Sequence, residues 1–61
     1  MEKLLNKFQS LKDKQNELMT LMAKEDCKDI HSVLRAKSYA DGIIELEMKI
    51  EILKEVIVEY S

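Results

Sequence analysis

The two side chains best suited to chemistry are Cys27 and His31, the only thiol and the only imidazole of the chain. Two copies of this closely spaced pair in a symmetric dimer could supply a Cys₂His₂ set of zinc ligands. The pair could also serve as nucleophile and base, but that needs an orienting group, an oxyanion hole and a pocket. The alternative is a loop cysteine and a helix-start histidine without a joint role. We favour this alternative and expect no enzymatic activity, no metal and no cofactor.

A row of lysines suggests a second kind of chemistry. Lys3, Lys7 and Lys14 lie within about 40° of one another on a helix with 100° per residue, and Ser10 lies beside them. Such a row could follow the phosphates of a nucleic acid. However, no arginine joins it, no exposed aromatic side chain is interleaved, and the net charge of the chain is −2. We therefore favour a solvated face, with nucleic-acid binding as the alternative.

Length and composition limit the fold that must position these side chains. A chain of 61 residues forms one domain with a marginal core, and its single cysteine allows no intrachain disulfide. Abundant apolar and charged residues, no proline and one glycine indicate long helices. No apolar run is long enough to cross a membrane, and the first residues do not resemble a signal peptide. We expect a cytoplasmic domain over residues 1–61 that needs oligomerisation to complete its core.

Apolar residues that recur every three and four positions predict two amphipathic helices. Helix 1 covers about residues 2–24, a loop follows at about 25–30, and helix 2 covers about 31–60. Asp29 or Ser32 could cap the start of helix 2. Residues 44–52 also alternate as in a strand, and Asp41-Gly42 could end a helix. The heptad pattern stays in phase across both features, so we predict one helix, bent or straight.

The fold class predicted from these helices is all-α: a coiled-coil-like antiparallel hairpin that dimerises into a four-helix bundle. The opposite net charges of residues 1–24 and 43–61, +2 and −3, favour antiparallel packing of the two segments. Isoleucine at a and leucine at d in helix 2 pack well as knobs into holes. The expected oligomer interface consists of the seam residues of both helices: Ala36, Tyr39, Ile43, Leu46, Ile50, Leu53, Ile57, Tyr60, Leu4, Phe8, Leu11, Leu18 and Met22.

Helix 2 carries a second apolar stripe, Ile44, Met48 and Ile52, away from this seam. A helix that is apolar on two sides is buried on two sides, so the stripe is either bundle core or a site for a target protein. Gln15 is a polar residue at a seam position of helix 1. It either sets the register and oligomer state or lies at an open edge in contact with water.

The outline of the chain resembles the plasmid-encoded repressor-of-primer family, whose two-helix chains dimerise into RNA-binding four-helix bundles. The likeness is architectural and covers the length without a shared motif. The outline is also similar to the small hairpin phosphatases that regulate sporulation. Their Ser-Gln-x-x-Asp signature is missing, since the chain reads Ser38-Tyr39-Ala40-Asp41-Gly42 at this point, and we assign the chain to neither family.

From these observations the sequence predicts a small non-enzymatic interaction or regulatory protein. It is expected to form a homodimer and to bind another protein, and its size and composition fit a phage, plasmid or bacterial gene. The alternatives are an RNA-binding or other nucleic-acid-binding helical bundle and a structural coiled-coil subunit of a larger assembly.

Overall fold

The computed structural model describes residues 2–60, which form two α-helices, α1 (Glu2–Ala23) and α2 (Ile30–Tyr60). The helices pack against each other as an antiparallel hairpin of 47 × 14 × 11 Å. The predicted all-helical hairpin is confirmed, and residues 2–60 contain no strand. Met1 and Ser61, the ends of the predicted domain, lie outside the described residues. Neither helix has an apolar stretch that could cross a membrane.

Gly42 does not interrupt α2, which runs as one helix from residue 30 to residue 60. The backbone at this glycine has no positive φ, so its role is not to end the helix. A Cβ built at Gly42 would lie 3.0 Å from Cδ1 of Leu18, closer than most carbon contacts. The missing side chain therefore allows α1 to approach α2 closely where Leu18 faces Gly42.

The loop ends at a capped helix start. Asp29 Oδ1 accepts a hydrogen bond of 2.8 Å from the backbone N–H of Ser32, and the Asp29 carbonyl accepts one from Val33. These are the contacts of an N-cap residue, because the first N–H groups of a helix have no partner within it. Asp29 is thus the cap, and α2 begins one residue earlier than the sequence predicted. Cys27, within the loop, has a left-handed φ of 56°.

Ser32 joins the loop to α2 from a buried position. Its Oγ accepts a hydrogen bond of 3.0 Å from the backbone N–H of Cys27 and donates one of 2.9 Å to Glu25 Oε1. The guanidinium of Arg35 donates to the same carboxylate oxygen, at 3.0 Å from Nε and 2.9 Å from Nη2. Hydrogen bonds from Arg35 and then from Ser32 lower the pKa of Glu25. The cluster holds the loop against the first turn of α2.

The core of the hairpin is thin. Among residues 2–60, Leu46 and Ile50 are the only buried apolar side chains, 7% and 6% exposed, and α1 has no fully buried residue. Gln15 is half-buried, and its Nε2 donates a hydrogen bond of 2.7 Å to Glu47 Oε2 and a longer one of 3.4 Å to the Ile43 carbonyl. These bonds join the middle of α1 to α2. Assembly into a four-helix bundle stays a prediction.

Candidate functional site

Most of the predicted interface residues are buried or half-buried within a single chain, as expected for side chains on the faces where α1 and α2 pack. Of the thirteen, Leu46 and Ile50 are buried, and Tyr60 is exposed at the end of α2. The other ten keep part of their surface in solvent, because one neighbouring helix covers only one side of each: Ala36, Tyr39, Ile43, Leu53, Ile57, Leu4, Phe8, Leu11, Leu18 and Met22. The contact of these residues with a second copy stays a prediction.

The predicted second stripe lies on the solvent side of α2. Ile44, Met48 and Ile52 are 61%, 64% and 62% exposed. At 100° per residue, Met48 points about 160° away from Ile50, whose side chain is buried against α1. We call these three residues the outer stripe. Large aliphatic side chains in one row, exposed to this extent, are typical of a contact surface rather than of an ordinary solvated helix face.

The protein surface at the outer stripe is only slightly concave. A depression of about 380 Å³ is lined by Ile44, Met48 and Ile52 together with Glu47 and Glu51. Its surface is almost entirely apolar. An open depression of this kind suits the side chains of a partner helix, because such partners lay an apolar face along a groove.

Carboxylates surround the outer stripe. Residues 41–59 contain six acidic residues and two lysines, a net charge of −4. Some of this charge is balanced locally: Lys49 lies 3.4 Å from Glu45, and Lys37 lies 3.2 Å from Asp41. Glu51 forms no ion pair with the described residues. The rim is therefore acidic.

The lysine row of α1 lies beside a neighbouring groove, which shares Ile52 with the outer stripe. Lys3, Lys7 and Lys14 are exposed, and Lys7 lines a groove of about 420 Å³ between the helices. Lys49 of α2 lines the same groove. The sequence did not associate this lysine with the row, because helical periodicity relates positions within one helix only. The floor of the groove is apolar and includes Leu11.

Cys27 and His31 are both exposed, and the cysteine is a free thiol. Within residues 2–60, no group of three or more His, Cys, Asp and Glu side chains is arranged to hold a metal ion. In the same loop and helix start, the Ser32 hydroxyl and the carboxylates of Asp29 and Glu25 are engaged in the cap and loop contacts described above.

Comparisons with known proteins add no assignment. No family model, curated protein or solved structure matches the chain. The surfaces described above are therefore the basis for a function.

Proposed function

We propose that this protein is a non-enzymatic helical interaction protein that self-associates and binds a partner protein through the outer stripe of α2. The observation that carries the proposal is the exposure of Ile44, Met48 and Ile52, a row centred on Met48, which points away from the buried Ile50. Covering such side chains is favourable by about 1.5–3 kcal/mol each when burial is complete. A partner that covers the row therefore gains substantial free energy without changing the hairpin.

Self-association is supported by the surface area. The accessible surface is 4923 Å². A compact monomer of 7.1 kDa exposes about 4,100 Å², from the scaling of surface with mass. The difference of about 800 Å² reflects the elongated shape of the hairpin, and it is as large as the area that one partner buries in a standard interface. The half-buried seam residues provide apolar area for a homodimeric four-helix bundle, which would leave the outer stripe accessible.

Sedimentation equilibrium tests the self-association. We expect a mass of about twice 7.1 kDa at micromolar concentration. A stable, helical species of 7.1 kDa across the concentration range would refute the dimer but would leave the outer stripe as a site for a partner.

Site-specific photo-crosslinking in the cells that express the protein tests the partner site. A photoreactive amino acid at Met48 should give a discrete heterologous crosslink, and the same group at Asn6, exposed on α1, should not. The captured protein must then bind the purified chain, and Met48→Gln must weaken that binding. A crosslink to a second copy alone, or equal crosslinking from both positions, would refute a partner site at the outer stripe.

Nucleic-acid binding is the second candidate function, favoured by the position of Lys7 and Lys49 along one groove. Binding through phosphates would weaken steeply with salt, with a slope near one per lysine contact. A titration of labelled RNA at several salt concentrations, with Lys7→Gln and Lys12→Gln as test and control, distinguishes this function. Equal binding by both variants would exclude the lysine row.

A further inference from the structure

The charges around the outer stripe indicate the chemistry of its occupant. We propose that the outer stripe binds a basic amphipathic helix of another protein, an inference that rests on the proposed partner site. The apolar residues would cover Ile44, Met48 and Ile52, and flanking lysines or arginines would face the acidic rim. A second copy of this chain is the competing occupant.

The spacing of the outer stripe fits a helix. Successive residues of the stripe are four positions apart, so they lie about 6 Å apart along the axis and extend over about 12 Å. This row is the i, i+4 ridge by which helices commonly pack into one another's grooves. A partner helix of about three turns, with apolar residues every three and four positions, would cover it.

The rim charge disfavours a second copy. Glu47 and Glu51 both line the apolar depression. Glu47 accepts a hydrogen bond from Gln15 of α1, whereas Glu51 forms no ion pair with the described residues. Pairing two outer stripes would bring two segments with a net charge of −4 each into contact. Like charges across an interface repel, whereas lysines or arginines of a foreign helix would be attracted to the same carboxylates. The dependence of binding on salt therefore has opposite signs for the two occupants.

Peptide binding tests the proposal. The probe is a labelled synthetic helix of leucine and lysine, with leucine at every third and fourth position, and its comparison replaces each lysine by glutamate. We expect the leucine–lysine helix to bind in a fluorescence anisotropy titration and the leucine–glutamate helix to bind at least about tenfold more weakly. Added salt should weaken the binding of the basic helix, because exposed charges are screened.

Variants localise the binding. Met48→Gln should weaken binding of the leucine–lysine helix by about tenfold, because it removes apolar contact area. Glu51→Gln with Glu55→Gln should weaken it by about threefold per carboxylate at low salt. Glu2→Gln with Glu17→Gln removes the same charge from exposed positions on α1 and should have little effect. Circular dichroism confirms that each variant remains helical.

The outcomes separate this inference from the proposed function. Equal binding of both peptides, or no effect of Met48→Gln, would overturn the basic partner. The basic partner would also be overturned if the chain self-associates, if added salt strengthens that self-association, and if Met48→Gln abolishes it. The occupant of the outer stripe would then be a second copy. If the photo-crosslinking at Met48 captures a protein whose contact segment is not basic, the partner site stands and only its proposed chemistry is wrong. If neither peptide binds and no partner is captured, both proposals fail.

Discussion

Ile50 and Ile52 form a natural test of which side of α2 is covered. They are the same residue type two positions apart, yet Ile50 is 6% exposed and Ile52 is 62% exposed. Truncating each to alanine removes the same atoms from opposite faces of one helix. The difference between the two variants therefore measures burial against α1 and is little affected by helix propensity.

The expected magnitudes follow from this difference in exposure. Ile50→Ala removes buried methyl and methylene groups and leaves a space that an open hairpin partly closes, so we expect a loss of about 2–3 kcal/mol, at the lower end of such substitutions. Ile52→Ala should change the free energy of unfolding by less than about 0.5 kcal/mol. A domain of this size is stable by roughly 3–9 kcal/mol. Ile50→Ala alone should therefore lower the melting temperature by about 10–20 °C.

Urea and thermal unfolding followed by circular dichroism at 222 nm measure both variants. Each should be measured at several protein concentrations, because self-association makes apparent stability depend on concentration. Equal losses for Ile50→Ala and Ile52→Ala would refute the reasoning. If the loss for Ile52→Ala grew with protein concentration, the outer stripe would be a contact between copies rather than a free surface.

Three further predictions concern the glycine, the loop and its cysteine. Gly42→Ala should stabilise the protein by less than about 1 kcal/mol, since alanine favours helix and the flexible end of Leu18 can move aside, while Gly42→Val should destabilise it in the same urea titration. An equal loss of stability in both variants would show that Leu18 and the two helices cannot move apart to accommodate a side chain at Gly42. Arg35 lowers the pKa of Glu25 below its ordinary value of 4.5. The contribution of ionised Glu25 to stability is therefore complete at pH values above 4.5 and is lost as the pH falls through the lowered pKa. Arg35→Met should flatten this part of an acid titration of stability, and unchanged slopes would contradict the assignment. Cys27→Gly should be more stable than Cys27→Ala by up to about 1 kcal/mol, because glycine tolerates the φ of 56°. Chelators should affect neither variant nor the parent chain, and stoichiometric zinc in the purified parent would overturn this expectation.

Local patterns in the sequence were sufficient to predict the two helices. The recurrence of apolar residues at three and four positions and the absence of proline are local properties, and a helix is stabilised along its own length by contacts three and four residues apart. The loop was predictable for the same reason, because the apolar period stops there. Asp29 was one of two candidate caps, and its position relative to the first helical N–H groups decides between them.

The continuity of α2 through Gly42 was predictable from the unbroken heptad phase, but the reason for a glycine at this position was not. The close approach to Leu18 involves a residue 24 positions earlier in the chain, on the other helix. No periodicity within α2 contains that information. The same holds for Glu25, Ser32 and Arg35, whose shared hydrogen bonds depend on how the loop folds back onto α2.

The sequence by itself determined that α2 has two apolar sides, because residues that share a face follow from helical geometry alone. Only the tertiary structure decided which side faces α1: the Ile50 side is covered, and the Met48 side is left in solvent. The physical reason is that one neighbouring helix covers only part of a helix surface, and the choice of part depends on register. That register brings together residues far apart in sequence, such as Gln15 and Glu47. The groove where Lys7 meets Lys49 follows from the same register.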